Sequence, residues 1–157
     1  SRMTVDAIMQ VIAKGYDVGK LNDQLNKLVD DLKLDLLLID THPGFNEETL
    51  LTIAISDTLI IVLRPDKQDY HGTAVLTEVA SRMAVPHVHM LANKVLGNLD
   101  KDDIRRKIHQ GYGYDVIGIL PFAEEMARLG SDGIFAARYP SHPLSKELDL
   151  VVQRIIE

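Results

Sequence analysis

The sequence contains no cysteine, which removes a disulfide framework, a thiolate metal site, an iron–sulfur cluster and a cysteine nucleophile together. It also lacks any apolar run near the roughly 18 residues that a membrane-spanning helix needs, and no secretory leader pattern opens it. Those absences carry the expectation of a cytoplasmic protein. An excess of positive charge is missing too. The 17 Lys and Arg stand against 23 Asp and Glu, a net charge of −6, so nothing global draws the chain to nucleic acid or anionic lipid. The densest basic run, Lys101 to Lys107, is interrupted by Asp102 and Asp103 and reads as a solvated helix face. No Gly-x-Ser-x-Gly turn offers a serine-hydrolase nucleophile. Repeats, low-complexity tracts and linkers are absent as well.

What is present is ordinary globular matter. The chain is 46% hydrophobic and 25% charged over 157 residues, enough for one domain spanning 1–157 that buries roughly 70% of its unfolded surface. Val5, Ile8, Met9 and Ile12 recur at helical spacing, as do Leu21, Leu25, Leu28, Val29 and Leu32, with Gly15-Tyr16-Asp17 as the breaker between them. Leu36-Leu37-Leu38-Ile39 is then a short, solid apolar run, expected to be a buried parallel strand. Thr58 to Leu63, Val88 to Ala92 and Val116 to Leu120 share its character.

Helical patterns alternate with these runs: Glu47 to Ile55, Thr73 to Met83, the pair Ile104 and Ile108, and Leu144 to Ile155. The alternation predicts an α/β fold, a doubly wound and mostly parallel sheet with flanking helices. In such folds ligands bind beyond the carboxyl ends of the strands. The residues standing there are Asp40 to Gly44, Arg64-Pro65-Asp66, Asn93-Lys94 and Pro121-Phe122.

A carboxylate at a strand tip, Asp40, can hold Mg²⁺ through water, because Mg²⁺ prefers oxygen ligands and keeps much of its hydration. Gly44 would let a backbone N–H approach a terminal phosphate with no side chain in the way. The plainer alternative is that Asp40 caps the helix near Glu47 or ends a strand. For Asn93 the plainer alternative is a turn residue at a strand end.

Several segments together resemble the second half of a MinD/ParA-type ATPase, the deviant-Walker branch of the P-loop NTPases. Asp35 to Gly44 resembles the Walker B strand and switch II, and Ser56 to Pro65 the next strand with its Pro-containing exit. Leu91-Ala92-Asn93-Lys94 resembles the strand whose Asn reads the base. Leu120-Pro121-Phe122 followed by Gly133-Ile134 resembles the closing segment beside the adenine. The resemblance implies that Asp40 binds Mg²⁺ through water and that Gly44 senses the γ-phosphate. It implies that Asn93 hydrogen-bonds the base, with Pro121 and Phe122 lining its other side. ATP and Mg²⁺ are the implied cofactors.

Two departures stand out: His42, where the family more often has Pro or a small residue, and Phe122-Ala123, where a charged pair is common. Guanine recognition would need a carboxylate two residues after Lys94. That position is Leu96, so adenine is expected.

A P-loop needs a strand, a Gly-rich loop with Lys and Ser/Thr, then a helix. Lys14 to Leu21 comes nearest. Its Gly–Lys spacing is wrong, Leu21 replaces the hydroxyl and Asp17 would face phosphate, so it reads as a helix-breaking turn. The family's P-loop, signature Lys and switch I Asp therefore have no counterpart here, and hydrolysis by this chain alone is not expected. In the family the P-loop strand lies beside the Walker B strand, so open strand edges are expected, along with pairing to an N-terminal P-loop segment or to a second copy as a homodimer. The opening Ser1-Arg2-Met3 reads as a cloning scar or as a piece of a longer chain.

The expected function is the ATP-binding part of a dimerising switch for spatial positioning or partitioning. The alternative is a P-loop-less, non-catalytic dimerisation or docking domain of the same fold. Amidoligase relatives of the same superfamily stay open; the lack of cysteine removes the iron–sulfur carriers. Smaller signals are His87 and His89, which alternate on a strand and could face one metal, and Tyr70 and His71, which open a helix after Pro65 in the region that resembles the family's dimer-facing surface. Asp66, Gln68 and Asp69 would belong to the same surface, with a solvated loop as the alternative. The final helix carries one Arg near its end, so no basic membrane anchor is expected.

Overall fold

The computed structural model describes residues 18–42 and 46–156. The first expected helix, over 5–12, lies outside them. The chain divides into two compact units, the first built from residues up to 59 together with 75–87, the second from 60–74 together with 88 onward.

The elements in chain order are α1 (Val18–Leu32), α2 (Glu47–Ile55), β1 (Thr58–Leu63), α3 (Lys67–Arg82) and β2 (His87–Val95). They continue with α4 (Lys101–Tyr112), β3 (Asp115–Pro121), α5 (Glu124–Leu129), α6 (Phe135–Arg138) and α7 (Pro143–Ile156). The strands form a parallel sheet of order β1-β2-β3, the α/β architecture the alternation predicts.

In the first unit, Leu50 and Ile53 of α2 and Val79 of α3 make a small core, with Leu59, Val75, Leu76, Met83 and Val85 packed around it. Asn46 starts α2 by accepting the Thr49 N–H at 2.7 Å, an ordinary N-cap that removes one orphan donor. The helix therefore does not use Asp40 as its cap.

One expectation fails here. Leu36 to Ile39 is not a strand: the segment belongs to no sheet, and Leu38 is 76% exposed. A strand exists through its ladder, because backbone N–H and C=O groups must be paired before the segment can be buried. Among the described residues no strand pairs with this run, so Leu36, Leu38 and Ile39 stay exposed and Leu37 is only half-buried.

In the second unit, Leu91, Ile117, Leu120, Ala123, Leu129, Phe135, Leu144 and Val151 form the core, with Ile60, Leu148 and Ile155 against it. Ile104 and Ile108 bury the inner face of α4. β3 lies at one edge of the sheet, and α7 satisfies part of that strand's backbone with charged side chains. The Ile119 N–H donates to Glu147 Oε1 at 3.1 Å, and the Arg154 guanidinium donates to the Ile117 carbonyl. Covering an edge with charge blunts its tendency to recruit another strand.

Candidate functional site

β2 and β3 pair in parallel from His89 opposite Asp115, shift register once between Met90 and Leu91, and shift back between Ala92, opposite Ile119, and Val95, opposite Pro121. At the second shift three steps on β2 span two on β3, which is a bulge. Lys94 absorbs the extra residue by turning left-handed, with φ of 55°, a conformation that costs a non-glycine residue about 1–2 kcal/mol. Within the bulge, Asn93 Oδ1 accepts the Lys94 N–H at 2.8 Å. Bulges re-aim side chains at strand ends. Here the bulge ties the carboxamide oxygen to the chain's own backbone, leaving the Nδ2 donors for another group.

On β3 the chain leaves the sheet at Pro121, and the Phe122 N–H donates to the Val95 carbonyl at 2.8 Å. That bond holds Phe122 against Val95, two residues beyond Asn93, so all three candidate residues stand at the carboxyl ends of the neighbouring strands β2 and β3. Asn93 and Pro121 are half-buried, and the Phe122 ring is 49% exposed. A half-buried amide donor near a solvent-facing aromatic ring offers a planar heterocycle one hydrogen bond and one apolar surface. Leu96, where a guanine-reading carboxylate would stand, is exposed and apolar.

The other expected residues lie elsewhere. Asp40, in the first unit, is exposed at the end of the unpaired run. Gly44 lies outside the described residues. His42 is exposed, with its Nδ1 3.8 Å from Glu48 Oε2, and its carbonyl accepts the Thr49 hydroxyl at 3.4 Å. Among the described residues no group of three or more His, Asp or Glu is placed to hold a metal ion, so the His87 and His89 pair gathers no third ligand. A single carboxylate such as Asp40 still suits Mg²⁺, which keeps several waters and takes the rest of its ligands from phosphate.

The exit of β1 holds a feature that sequence reading missed. Asp66 Oδ1 accepts the Asp69 N–H at 3.0 Å and caps α3. The Asp69 carboxylate reaches back to the Arg64 backbone N–H at 2.9 Å and to Arg64 Nε at 3.2 Å. Tyr70 and His71 lie in the first turns of a helix, as expected, and Asp66 and Asp69 belong to its cap and first turn rather than to a solvated loop.

Hydrogen bonds from the Arg64 side chain, then its backbone N–H, hold the Asp69 carboxyl below the usual carboxylate range. A lowered carboxyl stabilises the fold above the ordinary carboxylate range and loses that contribution as pH falls through its own depressed value. A carbon-13 carboxyl titration should find Asp69 ionising at lower pH than a free aspartate, and Arg64→Ala should move it upward. An unmoved titration would show that Arg64 does not hold the Asp69 carboxylate.

Part of the basic run on α4 is paired within the helix. Asp103 meets Arg106 at 2.5 Å and Lys107 at 2.6 Å, as a solvated helix face does. In the first unit an open cleft of about 340 Å³ is lined by Gly19, Asn22, Ala54, Ile55, Ser56, Asp57 and Pro86. No helix among the described residues is long and apolar enough to cross a membrane.

No family model matches the chain. It is 22% identical over 135 residues to MJ0547, an uncharacterized ATP-binding protein of Methanocaldococcus jannaschii, a match covering 85% of this chain and 50% of that protein. A second uncharacterized ATP-binding protein of the same organism, MJ0823, is 24% identical over 94 residues, covering 60% of this chain and 36% of that protein. The chain thus spans half or less of the curated relatives it matches. Among solved structures it is similar to the MinD cell division protein of Aquifex aeolicus. The TM-score is 0.75 with 16% identity, over 89% of this chain and 61% of that one. The Aquifex aeolicus MinC:MinD cell division protein complex gives a TM-score of 0.79 with 16% identity, over 91% of this chain and 60% of that one. The fold is that of MinD.

Proposed function

We propose that this chain is the switch and base-binding part of a MinD/ParA-like ATPase. In the cytoplasm it takes ATP with Mg²⁺, dimerises across the nucleotide and serves as a switch that positions or partitions a cargo. The observation that carries the reading is the Asn93–Lys94 bulge beside Pro121 and Phe122, at strand ends of a MinD-like fold. The ATP-binding relatives support the choice of ligand, and the apolar Leu96 supports adenine over guanine.

In this reading Asn93 donates to the base while Pro121 and Phe122 cover it. Asp40 holds Mg²⁺ through water, and Gly44 senses the γ-phosphate. Mg²⁺, when bound, neutralises phosphate charge. The phosphate-gripping loop comes from an N-terminal P-loop segment or a second copy, because phosphoryl transfer depends on positioning and charge that these residues do not supply alone.

One observation favours a second reading, a non-catalytic dimerisation or docking domain. Leu36, Leu38 and Ile39 are exposed on an unpaired segment, a surface that association would cover.

Fluorescent ATP and GTP analogues titrated with Mg²⁺ into the chain separate the two readings. The first expects ATP binding favoured over GTP, and Asn93→Ala weakening it by about tenfold, the loss of one hydrogen bond to a desolvated partner. No nucleotide binding by a stably folded, self-associating chain, either alone or mixed with an N-terminal P-loop segment, would replace the ATPase reading with the docking domain.

A further inference from the structure

The start of α7 is capped in an unusual way. Helices favour Asn, Asp, Ser or Thr at the N-cap, side chains whose oxygen accepts a backbone N–H at any pH near neutral. Here the residue before Pro143 is His142. Its Nδ1 accepts the Leu144 N–H at 3.1 Å, and its carbonyl accepts the Lys146 N–H at 3.1 Å. A ring nitrogen accepts only while it carries no proton, so this bond fixes the neutral ring with its proton on Nε2. That nitrogen lies 3.7 Å from Glu125 Oε2 on α5. The ring is seated edge-on against Phe135, with centroids 5.1 Å apart, and its side chain is 23% exposed, so solvent protons reach it.

We propose that His142 is a proton-operated cap on α7. Neutral, it holds the first turn through the Leu144 N–H. Protonated, Nδ1 becomes a donor facing a donor, and the imidazolium stands at the positive end of the helix dipole. Both effects eject the ring from the cap, and the Glu125 carboxylate is placed to receive it.

Arg138 on α6 and Lys146 on α7 are the cations close in sequence to the cap; the groups that follow are engaged elsewhere. On α5, Glu124 pairs with Arg128 at 3.3 Å. On α6, the Tyr139 ring packs on Phe135 and its carbonyl accepts the Ser145 hydroxyl at 2.7 Å. On α7, Glu147 takes the Ile119 N–H at 3.1 Å and lies 3.9 Å from Lys101. The turn that His142 holds therefore lies directly before the residue that covers the β3 edge, so acidification loosens the cover at its root. This inference is independent of whether the chain binds nucleotide.

The test is amide hydrogen exchange followed by NMR at pH 7.5 and 5.5, corrected for the intrinsic dependence of exchange on pH. Protection of the Leu144 amide should fall at least tenfold at the lower pH in the unaltered chain. In His142→Asn, whose carboxamide accepts at both pH values, it should not fall. An equal fall in that variant, or no fall in the unaltered chain, overturns the proposal. Should His142→Asn fail to fold, the nitrogen-15 shifts of the His142 ring decide. The cap requires the Nε2–H tautomer above pH 7, and an Nδ1–H tautomer there excludes it.

Discussion

Replacing Phe135 with alanine should destabilise the chain by about 3–5 kcal/mol, the range found when a buried aromatic side chain is deleted from a packed core. Phe135 is 6% exposed and shares its cluster with Leu91, Ile117, Leu120, Leu129, Leu144 and Val151. Its ring lies 5.0 Å from that of Tyr139 and meets His142 edge-on, contacts worth about 0.5–1.5 kcal/mol beyond the area buried. A domain of this size holds only about 5–15 kcal/mol in all, so this loss is a large share of it. Urea unfolding should show the midpoint falling with an unchanged slope. Phe122→Ala is the internal control: Phe122 is 49% exposed, and its loss should cost about 0.5 kcal/mol or less. Equal effects at the two positions would refute this account of the core.

Gly118→Ala should be the next most damaging change. A β-carbon on Gly118 would fall inside contact distance of Val151 Cγ2 and 2.8 Å from Leu91 Cδ1. Leu91 can rotate, but Val151 is β-branched and sits on a helix, where one rotamer dominates. The clash must therefore push α7 away from β3 or strain Val151, an overpacking cost of about 1–3 kcal/mol. At about 2–4 °C per kcal/mol for a chain this long, calorimetry should show a Tm lower by roughly 2–12 °C. Adding Val151→Ala should recover part of the loss, a coupling expected of residues in direct contact. A Gly118→Ala chain as stable as the parent, or a pair whose effects simply add, would contradict the close approach.

How much of this was legible beforehand differs from element to element. The run Thr58 to Leu63 is β1, and Glu47 to Ile55 is α2, end to end, because each carries its own periodicity between clear punctuation. α5 and α6 escaped, since helices of six and four residues are too short to show a period. Phe135 escaped with them, although it anchors the second core.

At the candidate site, the residue types at strand ends were readable: Asn93, Pro121 and Phe122 follow apolar runs, and strand ends in α/β sheets gather at one edge. The bulge was not, since a left-handed Lys94 is imposed by how β2 is held against β3 rather than by any preference of lysine. Leu36 to Ile39 shows the opposite case. Its composition is that of a buried strand, yet ladder hydrogen bonds and full burial come from neighbours, and among the described residues it has no strand partner.

The sequence by itself determined the order of helices and strands, the α/β class and the chemistry available at each strand end, because these follow from local periodicity and residue type. Tertiary structure alone decided which runs became strands, which way Asn93 presents its amide, that Glu147 and Arg154 cover the edge of β3, and that a histidine caps α7. Those outcomes depend on groups distant in the chain meeting at hydrogen-bonding range, which no local pattern encodes.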